Sequence, residues 1–96
     1  MSYDIGWAKV DLKKIPKLVS TEIPGPKSKE MHARATKIMK GLSSQVKLFP
    51  VVFESGHGCT LTDVDGNTYL DFSSGIYVTT LGHCHPKVSE AVARYA

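Results

Sequence analysis

Five side chains that could bind a metal or attack an electrophile fall between positions 57 and 85: His57, Cys59, His83, Cys84 and His85. Zinc is held by Cys and His. The spacing speaks against such a site, because there is no Cys-x-x-Cys pair and neighbouring side chains in an extended stretch point to opposite faces. His57 lies in a tight turn, and His83 and His85 flank the start of a helix, so these residues read as structural. Three carboxylates, Asp63, Asp65 and Asp71, form a second candidate set for acid–base work. Asp63 and Asp65 flank a hairpin turn, where Asp bonds its own backbone. The Asp65-Gly66-Asn67 run is too short for a calcium loop and lacks its closing Glu. The glycines match neither phosphate-binding pattern, and no Gly-x-Ser-x-Gly elbow occurs. Spacing therefore yields no catalytic residue and no metal ligand.

The elements that would position these residues make an α+β piece. Residues 1–20 interleave Ile5, Val10, Leu12, Ile15, Leu18 and Val19 with lysines, and Pro16 interrupts any long helix. A loose arm with one or two short turns is expected. Ile23-Pro24-Gly25-Pro26 punctuates the chain, and Ser28 is the expected helix N-cap. Met31, Ala35, Ile38, Met39 and Leu42 then recur at helical spacing. Lys29, Arg34, Lys37 and Lys40 lie off that stripe, and the helix should stop near Gly41.

From Phe49 the period changes to that of strands. Residues 51–54, 60–64 and 68–72 predict a three-stranded antiparallel meander. Ser55-Gly56-His57-Gly58 is its first turn, and Asp65-Gly66 is a two-residue type I′ turn. Residues 76–81 fit either a short strand or a buried loop between Gly75 and Gly82. His85-Pro86 opens a helix with Pro at its first turn and an apolar face of Val88, Ala91, Val92 and Tyr95.

Ninety-six residues allow one small domain or part of a larger one. The net charge of +3 conceals an asymmetry, +6 in residues 1–50 and −3 in residues 51–96. The scattered lysines read as a solvated face and not as a nucleic-acid or membrane surface, and they lack the aromatic interleaving of RNA-binding sheets. Two cysteines make no disulfide framework. No apolar run reaches membrane-spanning length and no secretory signal is present, so a cytoplasmic location with reduced thiols is expected.

The stretch from Ile23 onward resembles the N-terminal region of class III aminotransferases, the pyridoxal-phosphate enzymes of the 4-aminobutyrate, ornithine and acetylornithine type. The residues that carry the resemblance are Ile23-Pro24-Gly25-Pro26, Phe49-Pro50-Val51-Val52, Gly58 through Asp71, Ser74-Gly75-Ile76 and Gly82-His83-Cys84-His85-Pro86-Lys87-Val88. The resemblance implies a fold-type-I architecture. Residues 1–27 would be an arm, 28–74 the N-terminal part of the small domain, and 75–96 the substrate-side loop and first helix of the large cofactor domain.

What the resemblance implies for chemistry is uneven. The cofactor acts as electron sink in such enzymes. Its Schiff-base lysine and its aspartate lie far downstream of this region, so no catalytic or cofactor-binding residue is assigned here, and pyridoxal phosphate is expected in the complete enzyme only. Ile76 corresponds to a position that lines the substrate side of the pocket, and Tyr77 to one that does so in some members. Phe49, Thr80 and Gly82 are weaker candidates near the substrate or the subunit interface. The partners implied are the remainder of the enzyme, a second subunit in a homodimer, and amino acid and 2-oxo acid substrates. The expected activity is transfer of an amino group, including from ω-amines, to a 2-oxo acid. A racemase of the same family, or a non-catalytic module docking on a separately encoded large domain, are the alternatives. The chain reads as a fragment or one product of a split gene, expected to be inactive and partly unfolded by itself.

Overall fold

The computed structural model describes residues 6–38 and 49–96, with Tyr77 described by its backbone alone. In chain order there are a 3-10 turn at Gly6–Ala8, helix α1 (Pro26–Ile38), strands β1 (Phe53–His57), β2 (Thr60–Asp63) and β3 (Thr68–Leu70), a kinked turn at Ser74–Tyr77, and helix α2 (Pro86–Tyr95). The strands form one antiparallel sheet in the order β1-β2-β3, which is the expected meander.

Its details differ from the expectation in three ways. The first strand begins at Phe53, so Val51 and Val52 precede it, and residues 55–57 are strand instead of turn. The reversal falls on Gly58-Cys59, where Gly58 takes φ 60°, the conformation a two-residue hairpin asks of its first central residue. A bulge between Phe53 and Ser55 shifts the register, which then runs Ser55↔Thr62, Gly56↔Leu61 and His57↔Thr60.

The second turn is not type I′. Only Gly66 has positive φ, at 87°. The Gly66 amide donates to the Asp63 carbonyl at 3.1 Å and the Asp63 amide to the Asn67 carbonyl at 2.9 Å. That is a three-residue connection in which the left-handed glycine follows a β-turn. Asp63 favours it by accepting from the Asp65 and Asn67 amides, each at 2.9 Å.

Ser28 is not the cap of α1. The helix starts two residues earlier at Pro26, and the Ser28 hydroxyl accepts from the Val52 amide at 3.0 Å. The cap comes from across the fold: the Asp65 carboxylate accepts from the Lys27 and Ser28 amides at 2.8 and 3.0 Å. An anion there satisfies first-turn donors and opposes the helix dipole. The close approach requires glycine at 25, since a Cβ there would lie 2.4 Å from Asp65 Cγ. The stripe positions Met39 and Leu42, with Lys40 and the expected stop at Gly41, lie outside the described residues.

The arm belongs to the sheet. Lys17 and Thr68 exchange main-chain bonds at 3.0 and 2.8 Å, which covers part of the open edge of β3. Helix α2 starts as expected, with His85 Nδ1 accepting from the Lys87 amide at 3.2 Å and Pro86 in the first turn. Among the described residues no apolar side chain is fully buried; the buried side chains are Ser28, Asp63 and Asn67. Val88, Val92 and Tyr95 of α2 stay exposed. No described helix is long and apolar enough to cross a membrane.

Candidate functional site

Two constellations flank the hairpin. The first is a polar knot centred on Asp63, which is fully buried. Besides the two turn amides, its carboxylate accepts from Asn67 Nδ2 at 2.9 Å and from the Tyr69 hydroxyl at 2.7 Å. Asn67 in turn accepts from the amides of Val19 and Ser20 and donates to the Ser20 hydroxyl. Burial works to raise the Asp63 pKa, but the bonds from Asn67, Tyr69 and the amides outweigh it and hold the carboxyl below its usual value. Burial and the neighbouring Asp63 carboxylate push the Tyr69 phenol up to about 12. Every acceptor of this knot is engaged inside the chain, so it is scaffold.

The second constellation surrounds residues 71–85. Asp71 follows β3 and anchors it: its amide donates to the Cys59 carbonyl at 2.8 Å. Its Oδ1 accepts from the Ser73 amide, the Ser73 hydroxyl and the Ser74 amide at 2.9, 3.1 and 3.0 Å. Its Oδ2 meets His83 Nε2 at 2.6 Å, with the two side chains 6% and 21% exposed. The His83 bond, helped by the Ser74 and Ser73 donors against burial, holds the Asp71 carboxyl down at about 2. The carboxyl is therefore ionised at neutral pH and the shared proton sits on Nε2.

His83 also pairs through its backbone with Gly58, at 2.9 and 2.7 Å. Close packing fixes that contact: a Cβ on Gly82 would lie 3.1 Å from both Gly58 Cα and the Trp7 ring. Trp7 itself sits edge-on between His57 and His85, with ring centroids 5.6 and 4.9 Å away.

Between these anchors the backbone takes three left-handed residues in a row, Ser74 (φ 52°), Gly75 (φ 58°) and Ile76 (φ 68°). Glycine accepts this freely, but for a β-branched residue it is a real outlier, at a cost of about 1–3 kcal/mol. Ile76 is 64% exposed, and Val78 and Leu81 are exposed as well. The stretch is thus neither a strand nor a buried loop, and its apolar side chains are left uncovered by the described residues.

The sequence candidates separate into two places. Ile76, Tyr77, Thr80 and Gly82 share the loop. Thr80 and Gly82 line a cavity of about 330 Å³ with Trp7, Gly58 and Asp71, and also a wider groove of about 660 Å³ against α2. Phe49 lies elsewhere, in a groove with Ile23, Phe53, Tyr69 and Phe72, stacked on Phe53 at 6.0 Å. Sequence reasoning missed the Asp71–His83 pair and the role of Trp7. The only local signal was Asp71 placed two residues before Ser73, the spacing of a side-chain-to-backbone turn. Cys59 and Cys84 are free and exposed, and no three potential metal ligands converge among the described residues.

Comparison with known proteins gives this geometry a context. The family described as Aminotransferase class-III matches residues 42–96. An alanine/serine racemase of Pyrococcus horikoshii is 42% identical over 84 residues, which is 86% of this chain and 17% of that protein. An acetylornithine aminotransferase of Gloeobacter violaceus is 56% identical over 48 residues, 50% of this chain and 12% of that protein. Among solved structures, the ornithine aminotransferase from Toxoplasma gondii, crystallised with oxidised glutathione and with partial occupancy of PLP at its active site, superposes with a TM-score of 0.61. It is 33% identical, covering 70% of this chain and 15% of that one. The chain thus spans less than a fifth of the length of the curated relatives it matches.

Proposed function

This chain belongs to the class-III aminotransferase family, and from that premise we propose that it forms the N-terminal region of a pyridoxal-phosphate enzyme moving an amino group from an amino acid to a 2-oxo acid. The observation that carries the reading is the family match over residues 42–96, which takes in the hairpin, the strained loop and all of α2. We favour an ω-amine donor such as ornithine or 4-aminobutyrate; similarity to an acetylornithine and an ornithine aminotransferase supports this. The enzyme would be a cytoplasmic homodimer.

In this reading residues 1–27 are the arm, 28–74 belong to the small domain and 75–96 open the large one. Ile76 and Tyr77 edge the substrate pocket, Thr80 and Gly82 approach the subunit interface, and Phe49 approaches the pocket of a second subunit. Support for Ile76 is physical: it is exposed and held in a strained conformation, and such outliers cluster where a fold presents side chains to ligands.

The described residues do not by themselves fit the cofactor. The cavity and the groove flanking the loop contain neither Lys nor Arg among their lining residues. A phosphate-bearing aldehyde asks for an amine and for donors to its phosphate. In this reading the amine and the cationic partners of the phosphate come from outside these lining residues, whose contribution is to shape and close the substrate side.

The racemase similarity over 84 residues favours a second reading, inversion of an amino acid at the same site. One assay separates the two. The purified holoenzyme containing this segment, given ornithine and a 2-oxo acid, should consume both together. Loss of optical activity without consumption of the oxo acid would indicate the racemase. The isolated chain with pyridoxal phosphate should show no saturable, borohydride-sensitive absorbance band, and a stoichiometric band would contradict the assignment of cofactor binding elsewhere.

A further inference from the structure

We infer that Asp71 and His83 are positioning residues for donor recognition, a clasp that closes the loop between them and so sets the direction in which Ile76 faces the substrate. The inference rests on the reading of Ile76 as a pocket residue.

The loop cannot hold its own shape. Three consecutive left-handed residues, two of them with a Cβ, persist only when the surroundings over-determine them. Among the described residues, the hydrogen bonds of residues 75–81 run only within the loop, as from Ile76 to Ser73, Val78 to Ser74 and Gly82 to Thr79. What ties the loop to the sheet is at its two ends, and one side chain reaches both. Asp71 Oδ1 gathers the Ser73 and Ser74 donors at the near end, and Oδ2 takes His83 at the far end. His83 is locked in place by its backbone pairing with Gly58 and by the close contact at Gly82.

The alternative of a general base fails on the same geometry. The Asp71 carboxylate accepts three bonds on Oδ1 and the His83 bond on Oδ2, and its side chain is 6% exposed, so most of its acceptor capacity is spent inside the chain and a low pKa makes it a poor proton acceptor. Its remaining role is orientation, and small displacements of a substrate-positioning group can cost large factors in rate.

Two substitutions read the geometry of the clasp. In His83→Gln the side-chain amide nitrogen lies near the place of Nε2 and can still reach Asp71, whereas in His83→Asn it falls short. In the holoenzyme containing this segment, H83N should raise the donor KM about tenfold with kcat within about threefold, and H83Q should stay within about threefold of wild type in both. In parallel, hydrogen exchange at the Ile76, Val78 and Thr79 amides should quicken about tenfold in H83N, with Leu61 and Tyr69 unchanged. An unchanged donor KM in H83N overturns the inference, as does equal damage by H83Q and H83N. A general loss of stability would instead lower the active fraction and leave KM in place. Should the wild-type holoenzyme transfer no amino group, the proposed function fails; the exchange rates alone then decide the clasp, and unchanged loop protection in H83N sinks it.

Discussion

The knot around Asp63 and the loop after Asp71 are built from similar residues and behave as opposites. Both rest on a carboxylate that accepts four hydrogen bonds. In the knot those bonds close the hairpin on itself, and Asn67 extends them to the arm, making one buried polar centre with every partner satisfied. In the loop they hold a strained run of residues whose apolar side chains stay exposed. A single chemical device thus serves once to build a scaffold and once to present a surface. The scaffold carries no exposed reactive group, and the presented surface carries Ile76.

Removing the centre of the knot should have the largest effect. Asp63→Ala strips partners from Asn67, the Tyr69 hydroxyl and two amides at once, and unmade buried bonds cost about 1–3 kcal/mol each. Protection of the Leu61 and Tyr69 amides should fall by about 3 kcal/mol in hydrogen exchange, and Asp63→Asn by less. Protection that survives D63A would remove the knot from the account.

Acid should act next, on the loop. The Asp71 carboxyl, lowered from 3.8 to about 2 mainly by His83, stabilises the fold at every pH above its unfolded value. That contribution is lost as pH falls from about 4 to about 2, a change of order 2 kcal/mol. Pepsin cleavage within residues 72–82 should rise across that window, and a flat profile would contradict the clasp. The Asp63 carboxyl is lowered as well, so the knot weakens with the same sign.

Loss of the remote cap comes third. Asp65→Ala should destabilise the first turn of α1 by about 1 kcal/mol, read as faster exchange at the Lys27 and Ser28 amides with β2 unaffected. Equal loss in β2 would mean that Asp65 works through the hairpin turn and not through the helix.

The smallest expected change has the opposite sign, and it draws the comparison most sharply. Ile76→Gly relieves a β-branched residue at φ 68° and should stabilise the loop by up to about 1 kcal/mol. It should also weaken discrimination between amino donors, measured as the ratio of kcat/KM values. A destabilised loop would show that the strain is not real; unchanged discrimination would remove Ile76 from the pocket.

The sequence made much of this architecture legible, and its limits have a common cause. The β-branched-rich run from Thr60 to Val64 and the Asp65-Gly66 break predicted the meander, and His85-Pro86 predicted the start of α2, because those signals are local. The cap of α1 was assigned to Ser28, the nearest residue with a suitable side chain, while the actual acceptor, Asp65, lies 37 residues beyond it in the chain. The turn type was misread because Asp-Gly suits several hairpin geometries, and the choice was made by the Asp63 side chain. The Asp71–His83 pair spans twelve positions, and nothing in either residue's immediate neighbours announces the other. For the candidate site, the resemblance pointed to Ile76 and Tyr77, while what shapes their loop was visible only once the chain was folded.

The most direct test of the account is a structure of the holoenzyme containing this segment with an unreactive amino-donor analogue bound. The account predicts the Ile76 side chain within about 4 Å of the analogue, its backbone still left-handed and His83 Nε2 still on Asp71. An analogue bound with Ile76 turned away and packed into protein, or with the Asp71–His83 pair broken, would contradict it.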